Sequence, residues 1–318
     1  MRSHLAESFR FARLPGMRIR SASPDEHDSV AQLIHQSTNS WYEKNRSHTI
    51  FDPSTPLACR LFTDVYGDLD PSCCLVAEKD DGQLIGSCFY HPRETHVSLG
   101  IMNTHPEAAG HGVARKLLSN VIDHAEGKPV RLISSAMNLD SYSLYTKAGF
   151  TPQGLYQDMQ FSESLRVDNL PAQALGIRQA TTDDATAMAD LEMKLCGIRR
   201  EKDYQYFIEN KRGIWRCLVI EKDGEIIGFL NAVNHPASSM LGPGVFSTWQ
   251  DALALICAHH HANPDARPVF LVPANQKYLV AALYHLGARN LELHVSQVLG
   301  KAPTPTGIIM PTFMPETG

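Results

Sequence analysis

The chain has no cluster of positive charge and no long apolar segment. Its 318 residues include 29 Lys and Arg against 34 Asp and Glu, for a formal net charge of -5 at pH 7. Because the basic residues are scattered, this balance argues against a nucleic acid or an anionic membrane as a partner. The longest compact apolar run, residues 252–258, is too short to span a bilayer and is typical of a core helix.

Several catalytic and metal-binding motifs are also absent. There is no Gly-Lys-Ser/Thr of a Walker loop, no Gly-x-Ser-x-Gly of a serine hydrolase and no His-Glu-x-x-His of a zinc protease. The seven cysteines contain no Cys-x-x-Cys pair, which favours reduced thiols in a cytoplasmic protein. The histidines at 259–261 are consecutive and cannot all face one ion, so no metal site is predicted.

The most informative segment that is present spans residues 105–118 (HPEAAGHGVARKLL). Alternation before it predicts a strand over 96–104, and apolar spacing after it predicts a helix. No Ser, Thr, Asp or Asn directly precedes Gly112, so no local side chain caps the first helical turn. Its unpaired amides and positive dipole should attract an anion, and Gly110 and Gly112 allow close approach. A phosphate-bearing ligand fits this turn.

A dinucleotide-binding turn does not fit the same residues. That fingerprint requires glycine where the chain has Arg115, and an acidic residue at the end of the next strand. The next strand is predicted at 130–136 (VRLISSA), which contains no acid.

Two motifs resemble those of the GNAT superfamily of acyl-CoA-dependent N-acyltransferases. Residues 109–114 (AGHGVA) are similar to its coenzyme motif Gln/Arg-x-x-Gly-x-Gly/Ala, with Ala109 where the family usually has Gln or Arg. Residues 138–150 (NLDSYSLYTKAGF) are similar to Asn-x-x-Ala-x-x-Leu-Tyr-x-x-x-Gly-Phe, with Ser141 in place of Ala. The resemblance covers residues 17–161.

The resemblance implies acetyl-CoA as the cofactor, held between the strand that ends at residues 102–104 and the strand that ends near Ser135, which splay apart in this fold. The amide arm would pair with strand backbone, the diphosphate with the amides of the glycine turn, and Asn138 with the pantetheine. The coenzyme-binding residues implied in this way are Met102, Asn103, Thr104, Gly110, His111, Gly112, Val113, Ala114, Arg115 and Asn138.

Tyr145 is the candidate acid that protonates the departing thiolate, since a tyrosine hydroxyl, with a pKa of about 10, is protonated at neutral pH. The general base is open. Some family members have a Glu where this chain has Ile133, and Glu94 and His96 are the alternatives here. Trp41 and Tyr42, predicted in a loop after the first helix, either line an acceptor pocket or pack on the core.

The pattern then repeats. Residues 19–26 (IRSASPDE) are echoed by 177–184 (IRQATTDD), both with capping-box spacing, and 74–80 (CLVAEKD) by 217–223 (CLVIEKD). Leu144 and Tyr145 are echoed by Leu283 and Tyr284.

We therefore predict an α/β (α+β) fold of two tandem GNAT-like domains, each a mixed, mostly antiparallel sheet with helices on both faces. The predicted divisions are an extension at 1–16 (with Met17 an alternative start), a GNAT domain at 17–161, a linker at 162–175, a degenerate GNAT-like domain at 176–300 and a tail at 301–318.

The second copy differs at the phosphate turn, residues 241–251 (LGPGVFSTWQD). Ser247 and Gln250 have capping-box spacing, Asp251 would repel a diphosphate, and Pro243 lacks an amide proton. We predict that this copy does not bind the coenzyme in the usual way.

The sequence thus predicts an acetyl-CoA-dependent N-acetyltransferase whose acceptor amine attacks directly in a ternary complex. The alternative is a non-catalytic acyl-CoA sensor or interaction scaffold. The expected acceptor is a small-molecule or peptide amine, and no nucleic acid or membrane partner is expected. Two oligomeric states are open: a monomer with an internal pseudo-dimer, or a homodimer.

Overall fold

The computed structural model describes residues 16–162 and 176–314. Most of the predicted extension and linker therefore lie outside the described residues. The strands are β1 (Met17–Ser21), β2 (Cys74–Lys79), β3 (Leu84–Pro92), β4 (Val97–Thr104), β5 (Val130–Ser135), β6 (Thr151–Phe161), β7 (Ile177–Gln179), β8 (Trp215–Lys222), β9 (Glu225–His235), β10 (Ser238–Phe246), β11 (Val269–Pro273), β12 (Ala288–Leu299) and β13 (Ile308–Met310). The helices are α1 (His27–Arg46), α2 (Arg60–Leu69), α3 (Val113–His124), α4 (Leu139–Lys147), α5 (Ala185–Cys196), α6 (Glu201–Glu209), α7 (Trp249–Ala262) and α8 (Lys277–His285).

The order of elements repeats along the chain. The series β1, α1, α2, β2, β3, β4, α3, β5, α4, β6 is followed by β7, α5, α6, β8, β9, β10, α7, β11, α8, β12. We call the first series the N-terminal repeat and the second the C-terminal repeat; β13 follows both. The tandem organisation predicted from the sequence echoes is therefore present in the fold.

The chain divides into two compact units that do not follow the two repeats. One unit falls within Met1–Phe89 and Ile101–His124, and the other within Tyr90–Gly100 and Ala125–Gly318. The predicted domain boundaries near residues 161 and 176 flank a segment outside the described residues, and they stay a prediction.

The first unit contains β1, β2 and most of β3, and β1 and β3 each pair antiparallel with β2. Strand β4 is divided, with its residues 97–100 in the second unit. The predicted capping box is present, since the Ser23 backbone amide donates to Glu26 Oε2 at 2.8 Å. The predicted loop containing Trp41 and Tyr42 is wrong, because α1 continues through both residues and ends at Arg46. The aromatic pair therefore belongs to a helix, and its ring centroids lie 4.9 Å apart.

The second unit contains β5, β12, β6, β11, β10, β9, β8 and β7 as successive neighbours. Strand β12 of the C-terminal repeat lies between β5 and β6 of the N-terminal repeat and pairs antiparallel with both. Strands β4 and β5 pair in parallel over two positions, as do β10 and β11. The predicted class, a mixed and mostly antiparallel sheet with helices, is confirmed. Across the described ranges, no helix is both long and apolar enough to span a membrane.

Helix α7 supplies much of the apolar core of the second unit and ends in three histidines. His259 is buried, and its Nε2 lies 2.9 Å from the carbonyl oxygen of Leu230. Burial lowers the pKa of His259 to about 4, because the charged form of the ring would have no hydrating water at this buried position. In the part of the chain that the structure describes, no cluster of His, Cys, Asp and Glu could hold a metal ion.

The buried His259 predicts a loss of stability in acid. Its folded-state pKa of about 4 lies below the ordinary histidine value of 6.5, so the unfolded chain binds more protons between these values. Stability should therefore fall as the pH falls, by about 2 kcal/mol between pH 7 and pH 5. Urea unfolding at both pH values measures this, with His259→Gln as the control that cannot titrate. An equal loss in the control would contradict the assignment to His259.

Candidate functional site

The turn before α3, in the first unit, is built around two glycines in the left-handed region. Gly110 has φ +80° and Gly112 has φ +83°, conformations that other residues rarely adopt. The amide of Lys116 donates to the carbonyl of Gly112 at 3.1 Å, which closes the first helical turn. Among the described residues, the amides of Gly112, Val113, Ala114 and Arg115 have no acceptor and no side-chain cap. Such a helix start is suited to holding an anion.

Close packing against β3 positions this helix start. A Cβ on Gly86 would lie 2.5 Å from Val113 Cγ1 and 3.2 Å from the carbonyl oxygen of Asn103. The absence of a side chain at Gly86 thus allows β3, β4 and α3 to meet. Val113 is buried, so only its backbone amide can serve a ligand. This positioning role of Gly86 was not predicted from the sequence.

The end of β4 is fixed by α1. Ser37 Oγ donates to the carbonyl oxygen of Thr104 at 2.9 Å, and Asn103 Nδ2 donates to Thr38 Oγ1 at 3.3 Å. Asn103 is buried, while Met102 and Thr104 are partly exposed. Within the first unit, the structure therefore places the predicted strand residues and the glycine turn in adjoining segments.

Asn138 and Tyr145 belong to the second unit. Asn138 is the N-cap of α4, and its Oδ1 accepts from the amide of Ser141 at 3.1 Å. Tyr145 lies on α4 and is 6% exposed, with its ring centroid 5.9 Å from that of Phe150. Asn138 therefore starts the helix that carries Tyr145.

The two candidate bases have different surroundings. The Glu94 carboxylate is largely exposed and lies 3.2 Å from the guanidinium of Arg199. His96 is 2% exposed, with its ring nitrogens 3.0 Å from Thr95 Oγ1 and 3.1 Å from Ser98 Oγ. Burial and nearby arginines, first among them Arg131, hold its pKa well below the usual value. His96 is therefore uncharged at neutral pH and a weak base.

The counterpart of the glycine turn in the C-terminal repeat is different in kind. Gly242, Pro243 and Gly244 lie inside β10, so no glycine turn precedes α7. The predicted cap by Ser247 and Gln250 is wrong by one residue, because Thr248 is the N-cap and its Oγ1 accepts from the amide of Asp251 at 3.3 Å. This helix start supplies its own partner, as the sequence analysis expected.

The tail of the chain occupies the edge of β10 beside this helix start. Strand β9 pairs along one edge of β10 from Ser238 to Phe246. Since a strand has only two edges, β11 and β13 must share the other edge. Strand β11 pairs there at Met240 and Leu241, and β13 pairs from Gly244 to Phe246 and also contacts β11. The space beside the second half of β10 is thus filled by the protein's own backbone.

The C-terminal repeat also has no tyrosine in the position of Tyr145. Both helices run from an N-cap to a terminal glycine, Asn138 to Gly149 in one and Gln276 to Gly287 in the other. Counted from these caps, Tyr145 corresponds to Leu283, not to Tyr284. Leu283 is fully buried, whereas Tyr284 is exposed and its hydroxyl donates to Gln157. The predicted Leu-Tyr echo is therefore displaced by one residue.

Comparison with known proteins agrees with this fold. The model of the acetyltransferase (GNAT) family matches residues 34–150. A putative acetyltransferase from Pyrococcus horikoshii has a similar structure, with a TM-score of 0.73 and 16% identity over 99% of both chains. A GCN5-related N-acetyltransferase from Sphaerobacter thermophilus has a TM-score of 0.60 and 14% identity, covering 92% of this chain and 100% of that one.

Two further similarities are informative. A tandem GNAT protein from the clavulanic acid biosynthesis pathway has a TM-score of 0.55 and 13% identity, covering 89% of this chain and 98% of that one. The UPF0157 protein YqkA of Bacillus subtilis is 33% identical over 73 residues, which span 23% of this chain and 21% of that protein.

The matched segment contains the uncapped glycine turn and the helix with Tyr145, and the repeated element order agrees with the fold of the tandem neighbour. Residues 34–150 thus match the acetyltransferase (GNAT) family, and the chain as a whole has a fold similar to that of a tandem GNAT protein.

Proposed function

We propose that the protein is an acetyl-CoA-dependent N-acetyltransferase that acts through its N-terminal repeat. The observation that carries this proposal is the row of amides at Gly112, Val113, Ala114 and Arg115, which have no acceptor among the described residues, in a segment that matches the acetyltransferase family. The family generally binds acetyl-CoA, whose diphosphate carries the charge that such a helix start attracts. The acceptor is a small-molecule or peptide amine.

The residues of the chain divide the work. The amides of the turn, with that of Gly110, hold the diphosphate, and backbone groups of Met102, Asn103 and Thr104 hold the amide arm. His111, also expected to bind the coenzyme, has its amide donating to the carbonyl of Ala108 at 3.4 Å. Asn138 has its Oδ1 committed to the cap of α4, which leaves its Nδ2 to donate to the pantetheine. When bound, acetyl-CoA supplies the activated acyl thioester. Tyr145 donates a proton to sulfur.

The C-terminal repeat does not bind the coenzyme in this proposal. Its helix α7 is capped by Thr248, Asp251 places a negative charge in the first turn, and β13 lies along β10. Each of these features opposes a diphosphate or a pantetheine in that place.

A single coenzyme site per chain is the first prediction of this proposal. Isothermal titration with acetyl-CoA should give a stoichiometry of one, because the left-handed glycine turn that precedes α3 has no equivalent before α7, whose start is capped by Thr248. Two equivalent tight sites per chain would contradict the assignment to the N-terminal repeat.

The left-handed glycines give a second prediction. Gly110→Ala introduces a Cβ that meets nothing within 4 Å, but the φ of +80° strains the new residue by about 1–2 kcal/mol. The turn should relax, and the affinity for coenzyme A should fall at least about tenfold. Gly224→Ala is the matched control, since Gly224 has φ +82° and equally open surroundings in the hairpin between β8 and β9. Equal affinity losses in both variants would show that the effect is general.

The third prediction concerns Tyr145. Tyr145→Phe keeps the ring that packs on Phe150 and removes the hydroxyl, so kcat should fall by about 100-fold or more with little change in KM. Free thiol release from acetyl-CoA with a panel of primary amines measures this, and Tyr284→Phe is the matched control. An unchanged kcat would remove Tyr145 from the mechanism. Coenzyme binding without thiol release by the unmodified protein would favour the sensor over the enzyme.

A further inference from the structure

The central strands of the second unit place residues of the C-terminal repeat beside the first repeat's β5. Strand β12 pairs with β5 on one edge and with β6 on the other. His294 of β12 lies opposite Ser135, the last residue of β5, and opposite Tyr156 of β6. The next backbone contact continues this arrangement, since the amide of Ala136 donates to the carbonyl of Leu293 at 2.8 Å.

An aspartate and a histidine form a buried pair at this point. His294 Nδ1 lies 2.7 Å from Asp158 Oδ1, and the two residues are only 5% and 6% exposed. Because an ionised carboxylate can only accept a hydrogen bond, the neutral ring carries its proton on Nδ1 and a lone pair on Nε2. Within the described residues, the bond to Asp158 is the one hydrogen bond found for this ring.

Other groups facing His294 come from three elements. Ser135 Oγ of β5 donates to Glu292 of β12, Tyr156 lies opposite on β6, and the ring centroid of Phe313 in the tail lies 4.8 Å from that of His294. The charged and titratable neighbours of the imidazole are thus Asp158, Glu292 and Tyr156. No cationic side chain is found among these contacts, unlike the arginines around His96.

The position of the pair relative to α4 connects it with the proposed chemistry. Only Ala136 and Met137 separate Ser135 from Asn138, which caps the helix that carries Tyr145. The amide of Met137 donates to Ser135 Oγ at 3.1 Å, so the strand end and the helix start form one hydrogen-bonded segment. The Asp158 and His294 pair therefore lies at the strand end from which the candidate acid is positioned.

The C-terminal repeat does not reproduce these groups in its own counterpart. Aligned by the equivalent bonds of Ala136 to Leu293 and of Ala274 to Leu155, His294 corresponds to Tyr156. By the same alignment Ser135 corresponds to Pro273, and Tyr145 to Leu283. The serine beside His294 at the end of β5 and the tyrosine on α4 are thus replaced by Pro273 and Leu283 in the C-terminal counterpart.

We infer that His294 is the proton acceptor for the acceptor amine and that Asp158 is its positioning residue, an inference that rests on the proposed acetyltransferase function. In this step an N–H bond of the attacking amine breaks and an Nε2–H bond forms. The electron pair stays on the amine nitrogen, and the imidazolium later returns the proton to water. The C-terminal repeat thus contributes a catalytic side chain without binding coenzyme itself.

The decisive variant is His294→Asn. The Asn Nδ2 can still donate to Asp158, so the buried pair persists, but the basic Nε2 is lost. We expect kcat/KM to fall at least about 100-fold with the panel of primary amines, while the dissociation constant for coenzyme A changes less than about twofold. His259→Gln is the matched control, since it replaces another buried, hydrogen-bonded imidazole.

A second measurement does not depend on turnover. ¹⁵N NMR of the imidazoles in the free protein should find the His294 proton on Nδ1, and Asp158→Asn should shift this tautomer toward Nε2. A proton on Nε2 in the unmodified protein would overturn the inference. So would full activity in His294→Asn, which would leave the acetyltransferase proposal intact. Absence of thiol release by the unmodified protein would instead contradict that proposal and this role together.

Discussion

The pairing of β6 with β12 is the constraint on which the second unit depends. Each of these strands ends one repeat, yet each lies next to the fifth strand of the other repeat, β12 beside β5 and β6 beside β11. Neither repeat therefore completes its sheet with its own last strand. Because every strand has two edges that need hydrogen-bond partners, the exchange satisfies both repeats at once. It also explains why the compact units do not follow the repeats along the sequence.

The two repeats differ most at the start of one helix. In the N-terminal repeat, which has left-handed glycines at 110 and 112, the amides from Gly112 to Arg115 have no acceptor among the described residues. In the C-terminal repeat, Thr248 provides an acceptor and the strand β10 runs almost to the helix. An uncapped helix start costs stability unless a ligand completes it, whereas a capped start is stable without one. One fold thus supports a ligand-binding repeat and a structural one.

The exchange of strands also changes what the structural repeat can contribute. Once β12 lies beside β5, its side chains are placed next to the segment that leads to Asn138 and Tyr145. His294 and Glu292 reach this segment although they lie far along the chain from Tyr145. A repeat that has no phosphate turn of its own can therefore supply a titratable group for the other.

Local patterns in the sequence were sufficient to predict much of this. The capping boxes at Ser23 and Thr181, the uncapped helix after Gly112 and the repeated hairpins depend on neighbouring residues, and local chemistry determines them. Local patterns predicted the ends of helices less well. Helix α1 continues through Trp41, since an amphipathic helix can continue where its sequence turns polar, and α7 is capped by Thr248 and not by its neighbour Ser247.

Only the tertiary structure decided which strands are neighbours. The exchange of β6 and β12, the place of β13 beside β10, and the contact between Asp158 and His294 join segments far apart in the sequence. No periodicity specifies such pairings, because many strands share similar alternation and the choice between them depends on the packing of the whole unit. The sequence by itself determined the elements and the anion-binding turn, and the fold determined which side chains could work beside Tyr145.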